Sequence, residues 1–213
     1  MELPLKTSAS LDARVKELRN KEEPGKKIFV CGGTVCRARG GLEIYERVRK
    51  GLKRKDFNGE VLLKHTGCQG PCSHGPVVVV EPGGFVYERV KISDVGDILR
   101  GATDSGAGRR KATGRMGEMP FFSRQKRLLF NPVIDPTSID DYMRRRGYSA
   151  LSRVLTSMTP EDVITAIEKA GLRGRGGGGF NTARKWKSCR KAHGEPKFVI
   201  ANGDEGNPGA FMD

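Results

Sequence analysis

The sequence predicts an α/β chain in two folded parts joined by a flexible linker. Three observations lead there. Short apolar strands alternate with amphipathic helices between residues 27 and 101, a stretch rich in glycine and charge fills residues 102–119, and capped helices resume from Pro120. The 213 residues give room for one or two domains.

Residues 1–26 are read as an N-terminal helical extension, because 11–27 are highly charged with a weak helical pattern. Lys27-Ile28-Phe29-Val30 reads as a short buried strand ending at Cys31. Leu42, Tyr45, Val48 and Leu52 share one helical face, and residues 61–64 form a second strand ending just before Cys68. Residues 77–81 and 85–90 are apolar strands joined by Pro82-Gly83-Gly84, a hairpin turn. Ser93 is placed to cap a last helix that buries Val95, Ile98 and Leu99. The order β-α-β-β-α, with a cysteine loop after each of the first two strands, is a thioredoxin-like arrangement.

Residues 102–119 hold many glycines and charges and almost no apolar side chains, which describes a linker. Beyond it, Ser138 caps a short helix with Asp140 and Asp141 in its first turn and Arg144, Arg145 and Arg146 in its last. That charge order complements the helix dipole, and Gly147 ends the helix. Asp135, Asp140 and Asp141 therefore read as capping groups rather than an acid–base pair. Thr159-Pro160-Glu161-Asp162 starts a helix that buries Val163, Ile164, Ile167 and Ala170 and stops at Gly171. Residues 182–192 read as a further helix and 197–201 as a buried strand.

Four cysteines stand as Cys31-x4-Cys36 and Cys68-x3-Cys72, each pair set among glycines. Two short pairs so far apart can share one site only if the fold brings two loops together. Glycine lets the backbone approach a bound group closely and turn N–H groups toward it. Four thiolates with a ring of backbone donors describe a [2Fe–2S] cluster well. Zinc, a redox dithiol and buried thiols are the alternatives; structural zinc more often takes x2 spacings, and a dithiol needs only one Cys-x-x-Cys pair. His65 and His74 flank the second pair, where Rieske-type ligation is conceivable. With four cysteines present they read as neighbours, and Cys189 stands alone in a basic helix.

The net charge of +14 raises nucleic acid as a partner. The basic clusters are scattered, though, and aromatics are only 7%, which leaves no stacking platform and favours solvated faces and docking surfaces for acidic partners. The longest apolar run is Val77 to Val80, far too short to cross a bilayer, so membrane insertion is not expected. No secretory h-region follows Met1, and clustered cysteines then fit a cytoplasmic redox or metal protein.

A second site comes after the Thr159 helix. Gly171-Leu172-Arg173-Gly174-Arg175-Gly176-Gly177-Gly178-Gly179-Phe180 has six glycines in its first nine residues, which suits successive N–H groups facing an anion. The N-terminus of the next helix could face the same phosphate, with Lys185 about one turn in. The strand at 197–201 runs into Asn202-Gly203-Asp204-Glu205-Gly206-Asn207-Pro208-Gly209. Polar groups at the carboxyl end of a strand are where open α/β folds bind ligands.

These two blocks resemble the NADH-binding flavoprotein subunit of complex I and the related diaphorase subunits of NAD(P)-linked hydrogenases and formate dehydrogenases. Residues 174–186 are similar to the family pattern GRGGxGFPTGxKW, and 202–209 to NADExEPG. Several members also carry an N-terminal thioredoxin-like [2Fe–2S] domain, similar to residues 27–101. The resemblance implies that 120–213 is the beginning of an α/β FMN-binding domain, and that the chain stops before the rest of it. It implies that Gly174, Arg175, Gly176, Gly177, Gly178 and Gly179 wrap the FMN phosphate and ribityl chain. Arg175 and Lys185 would contact the flavin, Phe180 would border the nicotinamide, and Asn202, Asp204, Glu205 and Asn207 would line the polar edge. Cys31, Cys36, Cys68 and Cys72 would ligate the [2Fe–2S] cluster. Asn181 and Ala183 stand where the family has proline and glycine, Ser188 where it has a phenylalanine, and Asn207 where it has a glutamate.

The implied activity is an NAD(P)H:acceptor oxidoreductase, with no acid–base residue of its own. Its partners would be the other subunits of a hydrogenase, formate dehydrogenase or complex I-like assembly. Two hypotheses remain. Either the chain is an electron-input subunit passing electrons between nicotinamide, FMN and the cluster, or it is a [2Fe–2S] carrier whose second half only docks.

Overall fold

The structure is a computed structural model describing residues 7–53, 57, 60–103, 108–125, 134–175, 177–198 and 200. Two compact units emerge: Ala13–Gly147, and a second made from the described residues of Tyr148–Asp213 with those of Met1–Asp12.

The first unit is a mixed α/β fold. Its five-stranded sheet runs β2-β1-β3-β4-β5, with β1 Lys26–Cys31, β2 Val61–Thr66, β3 Val78–Glu81, β4 Phe85–Tyr87 and β5 Gly114–Arg115. β1 and β2 are parallel, with Cys31 opposite Thr66; the remaining pairs are antiparallel. Parallel pairing demands a crossover, which α2 Thr34–Ala38 and α3 Gly41–Leu52 supply. α1 Ser8–Asn20 precedes β1, and α4 Val95–Thr103 comes after β4.

Alternation along β1 sorts the core. Ile28 and Val30 face α3 and α4, and pack with Ile44, Val48, Val78, Val80, Val95 and Ile98. Within α3 the buried side chains are Ile44 and Val48. Tyr45 and Leu52 pack partly against them, whereas Leu42, expected on the buried face, is exposed, because the stripe runs through Ile44 instead. The hairpin after β3 is held by the Glu81 carboxylate, which accepts from the Gly83 and Gly84 N–H groups at 2.7 and 3.0 Å. Ser93 does not cap α4. It lies within a 3-10 turn, Ile92–Asp94, where the Asp94 carboxylate accepts from the Lys91 N–H at 2.8 Å.

The span read as a linker is part of this sheet where it is described. Residues 114–115 form β5 on the open edge of β4, and the Tyr87 hydroxyl donates to the Gly108 carbonyl at 3.1 Å. Lys111 also pairs with buried Asp97. Main-chain pairing needs no apolar side chains, so a glycine-rich, charged composition did not reveal it. α5 Pro120–Ser123 comes next, and then α6 Ile139–Arg144 with Ser138 as its cap, its hydroxyl accepting from the Asp141 N–H at 3.2 Å. The sequence grouped these residues with the second part; instead they pack on the first.

Asp141 shows why. Its carboxylate pairs with Lys64 of β2 at 2.6 Å, and both groups are buried. Lys64 also holds Glu23 at 2.9 Å, and Glu23 holds Lys27 at 2.7 Å. Arg144 donates to the Lys21 carbonyl at 2.7 Å, and Arg14 pairs with Asp140 at 2.9 Å. Burial alone would push the Glu23 carboxyl up; hydrogen bonds from Lys27 and Lys64 outweigh it and hold it down to about 2.

In the second unit α7 Ser149–Ser157 precedes α8 Pro160–Ala170 and α9 Thr182–Lys191. Thr159 and Asp162 form the expected reciprocal cap, and Gly171 ends α8 in the left-handed region (φ 64°). The strand expected at 197–201 is absent among its described residues. Phe198 and Ile200 are 80% and 86% exposed, and the described part of this unit offers no strand to pair with.

Removing one partner of a buried ion pair costs about 3–5 kcal/mol, so Asp141→Ala is expected to destabilise the first unit by about that much in urea unfolding. Glu23 has its folded pKa below its unfolded one, so its contribution is present above the ordinary carboxylate range and lost as pH falls toward 2. Glu23→Gln should flatten that acid limb of a stability–pH curve.

Candidate iron–sulfur and anion-binding sites

Register determines where the cysteines meet. Cys31 is the last residue of β1, and β2 ends opposite it at Thr66, so both ensuing loops leave the sheet at one edge. The Gly32 N–H donates to the Thr66 carbonyl at 2.8 Å, tying the loops at their base. Cys36 lies in α2 and Cys72 opens a 3-10 turn, Cys72–His74. Arg39, at the end of α2, donates to the carbonyls of Ser73 and Gly75 at 3.1 and 3.3 Å, a second tie between the loops.

The thiols interact as two pairs. Cys68 and Cys72 sulfurs are 3.8 Å apart, and Cys31 and Cys36 perturb one another. That interaction raises Cys31, as does its burial, and holds the Cys36 thiol down to about 7. The Gln69 N–H donates to the Cys31 sulfur at 3.4 Å, and the Gly33 and Val77 backbones help hold the Cys31 and Cys36 thiols down. Cys31 and Cys36 are buried, while Cys68 is exposed.

Two glycines are required for space, not for backbone conformation. A Cβ at Gly75 would stand 2.8 Å from the Cys36 sulfur, and one at Gly33 would stand 3.0 Å from the Cys68 sulfur. Their small size is what lets one loop's backbone lie against the other loop's thiols. Among the described residues, no three His, Cys, Asp or Glu side chains converge as a single ion would need. Two thiol pairs with backbone donors suit a binuclear centre, and the donor set is soft, as iron–sulfur ligation requires. His65 packs at a tilt against Tyr45, ring centroids 5.3 Å apart, and His74 meets the Glu88 carboxylate at 2.9 Å. Cys189 is exposed in α9.

The glycine loop of the second unit is closed at its base. The Gly174 N–H donates to the Phe180 carbonyl at 2.8 Å, the Thr182 N–H to the Leu172 carbonyl at 3.0 Å, and Arg173 to the Gly179 carbonyl at 3.3 Å. Above the base, a Cβ at Gly177, Gly178 or Gly179 would meet nothing within 4 Å, and Gly177 and Gly179 have positive φ. The loop therefore presents bare, open backbone beside α9 and suits an anion. Asn181, in the family's proline position, caps α9: its side-chain oxygen accepts from the Arg184 N–H at 2.9 Å. Arg184 lies 5.9 Å over the Phe180 ring, and Phe180 is half exposed. Gly176, Asn202, Asp204, Glu205 and Asn207 lie outside the described residues.

Sequence reasoning missed Arg39 and the aromatic pair Phe121 and Phe122. Phe122 belongs to the same buried apolar cluster as Cys31 and Cys36, and Phe121 lies on Gly70. Two adjacent phenylalanines in a stretch otherwise poor in apolar residues were the available signal.

This fold and these thiol pairs define an N-terminal thioredoxin-like [2Fe–2S] ferredoxin domain. The match to that family covers residues 17–103, and residues 167–213 match the Nuo51 FMN-binding domain. The chain thus joins such a ferredoxin domain to a largely helical region matching the start of an FMN-binding domain. It is 50% identical over 80 residues to the NADP-reducing hydrogenase subunit HndC of Solidesulfovibrio fructosivorans, covering 38% of this chain and 16% of that one. It is 30% identical over 208 residues to the NAD-reducing hydrogenase HoxS subunit alpha of Cupriavidus necator, covering 88% of this chain and 31% of that one. The thioredoxin-like [2Fe–2S] ferredoxin of Aquifex aeolicus superposes with a TM-score of 0.39 and 27% identity, over 44% of this chain and all of that one. The chain spans less than a third of either curated relative.

Gly75→Ala is expected to leave the fold intact by circular dichroism, yet to displace the Cys36 sulfur and lower the iron and sulfide taken up in anaerobic reconstitution.

Proposed function

We propose that the chain is an electron-input subunit, or part of one, of a multi-subunit NAD(P)H-linked oxidoreductase, passing electrons between nicotinamide, FMN and a [2Fe–2S] cluster. The observation that carries this reading is the pair of thiol pairs at one sheet edge, with an open glycine loop later in the same chain. Cys31, Cys36, Cys68 and Cys72 ligate the cluster. The Gln69 N–H donates to the Cys31 sulfur, and the Gly33 and Val77 backbones favour the negative charge on Cys31 and Cys36.

In the second unit, backbone from Gly174 through Arg175, Gly176, Gly177, Gly178 and Gly179 receives the FMN phosphate. Arg175 and Lys185 supply positive charge, and Phe180 borders the nicotinamide. Asn202, Asp204, Glu205 and Asn207 provide the polar edge. When bound, the flavin exchanges electron pairs with a nicotinamide and single electrons with an iron–sulfur centre. The protein binds, orients and excludes water. Its partners are the remaining subunits of a hydrogenase, formate dehydrogenase or complex I-like assembly, and its compartment is the cytoplasm. Related chains named as subunits of NADP- and NAD-reducing hydrogenases support the electron-input role. Among the described residues no helix is long and apolar enough to cross a membrane.

The test is anaerobic reconstitution of the purified chain with iron, sulfide and FMN. Visible absorption that bleaches on reduction, a reduced-state EPR signal lost in Cys36→Ala, and bound flavin reduced by NADH or NADPH are the expected results. Four thiols holding zinc would overturn the cluster, and a loaded cluster without flavin uptake would leave an electron carrier only. Lys185→Ala should weaken FMN binding about tenfold in a fluorescence titration, as expected for losing one charged hydrogen bond.

A further inference from the structure

The match to the ferredoxin family ends at residue 103, but the wall around the cysteines does not. The sheet has two faces. Helices α3 and α4 cover the one carrying Ile28 and Val30. The other carries Phe29, Cys31, Val77, Val79 and Val86, and the side chains packed there with Cys36 are Phe122, Met116 and Met119, all from after residue 103. The next ring, Phe121, meets Phe122 edge-on at 5.1 Å and lies on Gly70, between Cys68 and Cys72 in sequence. A Cβ at Gly70 would come 2.9 Å from that ring. One phenylalanine thus belongs to the apolar cluster that holds Cys31 and Cys36, and its neighbour lies against the Cys68–Cys72 loop. The segment carrying them is anchored by the β4–β5 pairing and by the Met116 N–H donating to the Gly84 carbonyl at 2.8 Å.

We propose that β5 and α5 form a cap on the cysteine compartment, in which Phe122 seals the Cys31 and Cys36 side and Phe121 covers the Cys68–Cys72 loop. The proposal rests on the cluster reading for its redox consequence, but the cap is a property of this chain's own residues. An apolar cover keeps water from the sulfurs and lowers the local dielectric. Reduction adds negative charge to the centre, so a drier site disfavours the reduced form and makes the potential more negative. Phe121 is itself 42% exposed and covers the more open thiol pair.

The test uses the full chain with Phe121→Ala and Phe122→Leu, the second removing the aromatic ring while keeping an apolar side chain so that the fold persists. In the metal-free chain, alkylation by iodoacetamide is monitored by mass spectrometry at each cysteine. Phe122→Leu should speed labelling of Cys31 and Cys36 several-fold, and Phe121→Ala that of Cys68 and Cys72. In the reconstituted chain, both variants should bleach several-fold faster in air with chelator, and their potentials in EPR-monitored titration should become less negative. Labelling at wild-type rates in both variants would overturn the cap. Wild-type chain that takes up no cluster would overturn the cluster reading alone, because the labelling result still decides the cap.

Discussion

The parallel pairing of β1 with β2 is the constraint on which the site depends. With Cys31 opposite Thr66, the carboxyl ends of both strands stop at one edge, and the loops leaving them must run side by side. α3 and β2 lie between Cys36 and Cys68 in sequence, yet the thiols end within electrostatic reach of each other. A slip of one residue in that register would send the side chain of Cys31 to the opposite face, among the residues that pack on α3 and α4. The glycines at 33 and 75 then permit an approach that any Cβ would obstruct.

The segments after α4 extend this logic. β5 pairs with β4 by main-chain bonds, α5 places apolar rings beside the thiols, and α6 places Asp141 on Lys64. The far face of the sheet is thus apolar next to the cysteines and ionic toward Glu23 and Lys27. A buried ion network contributes little net stability compared with apolar packing, but it penalises separation strongly. It holds α6 against β2.

Much of this was legible in the sequence, and the failures have physical causes. β1 and β3 were readable because Ile28 to Cys31 and Val78 to Val80 are continuous apolar runs, and α8 because Thr159, Pro160 and Asp162 form a complete start signal. The thiols were readable from spacing and from their glycines. β5 was not, since a two-residue edge strand carries no periodicity. Asp141 read as a helix-start acid because its partner, Lys64, is a lysine in a strand 77 residues earlier. Phe198 and Ile200 read as a buried strand, but a run of apolar residues specifies burial only when a partner surface exists.

We propose that these four sulfurs bind two irons. X-ray absorption at the iron edge of the anaerobically reconstituted chain tests it most directly. A shell of sulfur only is expected, with an iron–iron scattering vector that persists on reduction. A nitrogen or oxygen ligand in that shell, or no iron–iron vector, would contradict it.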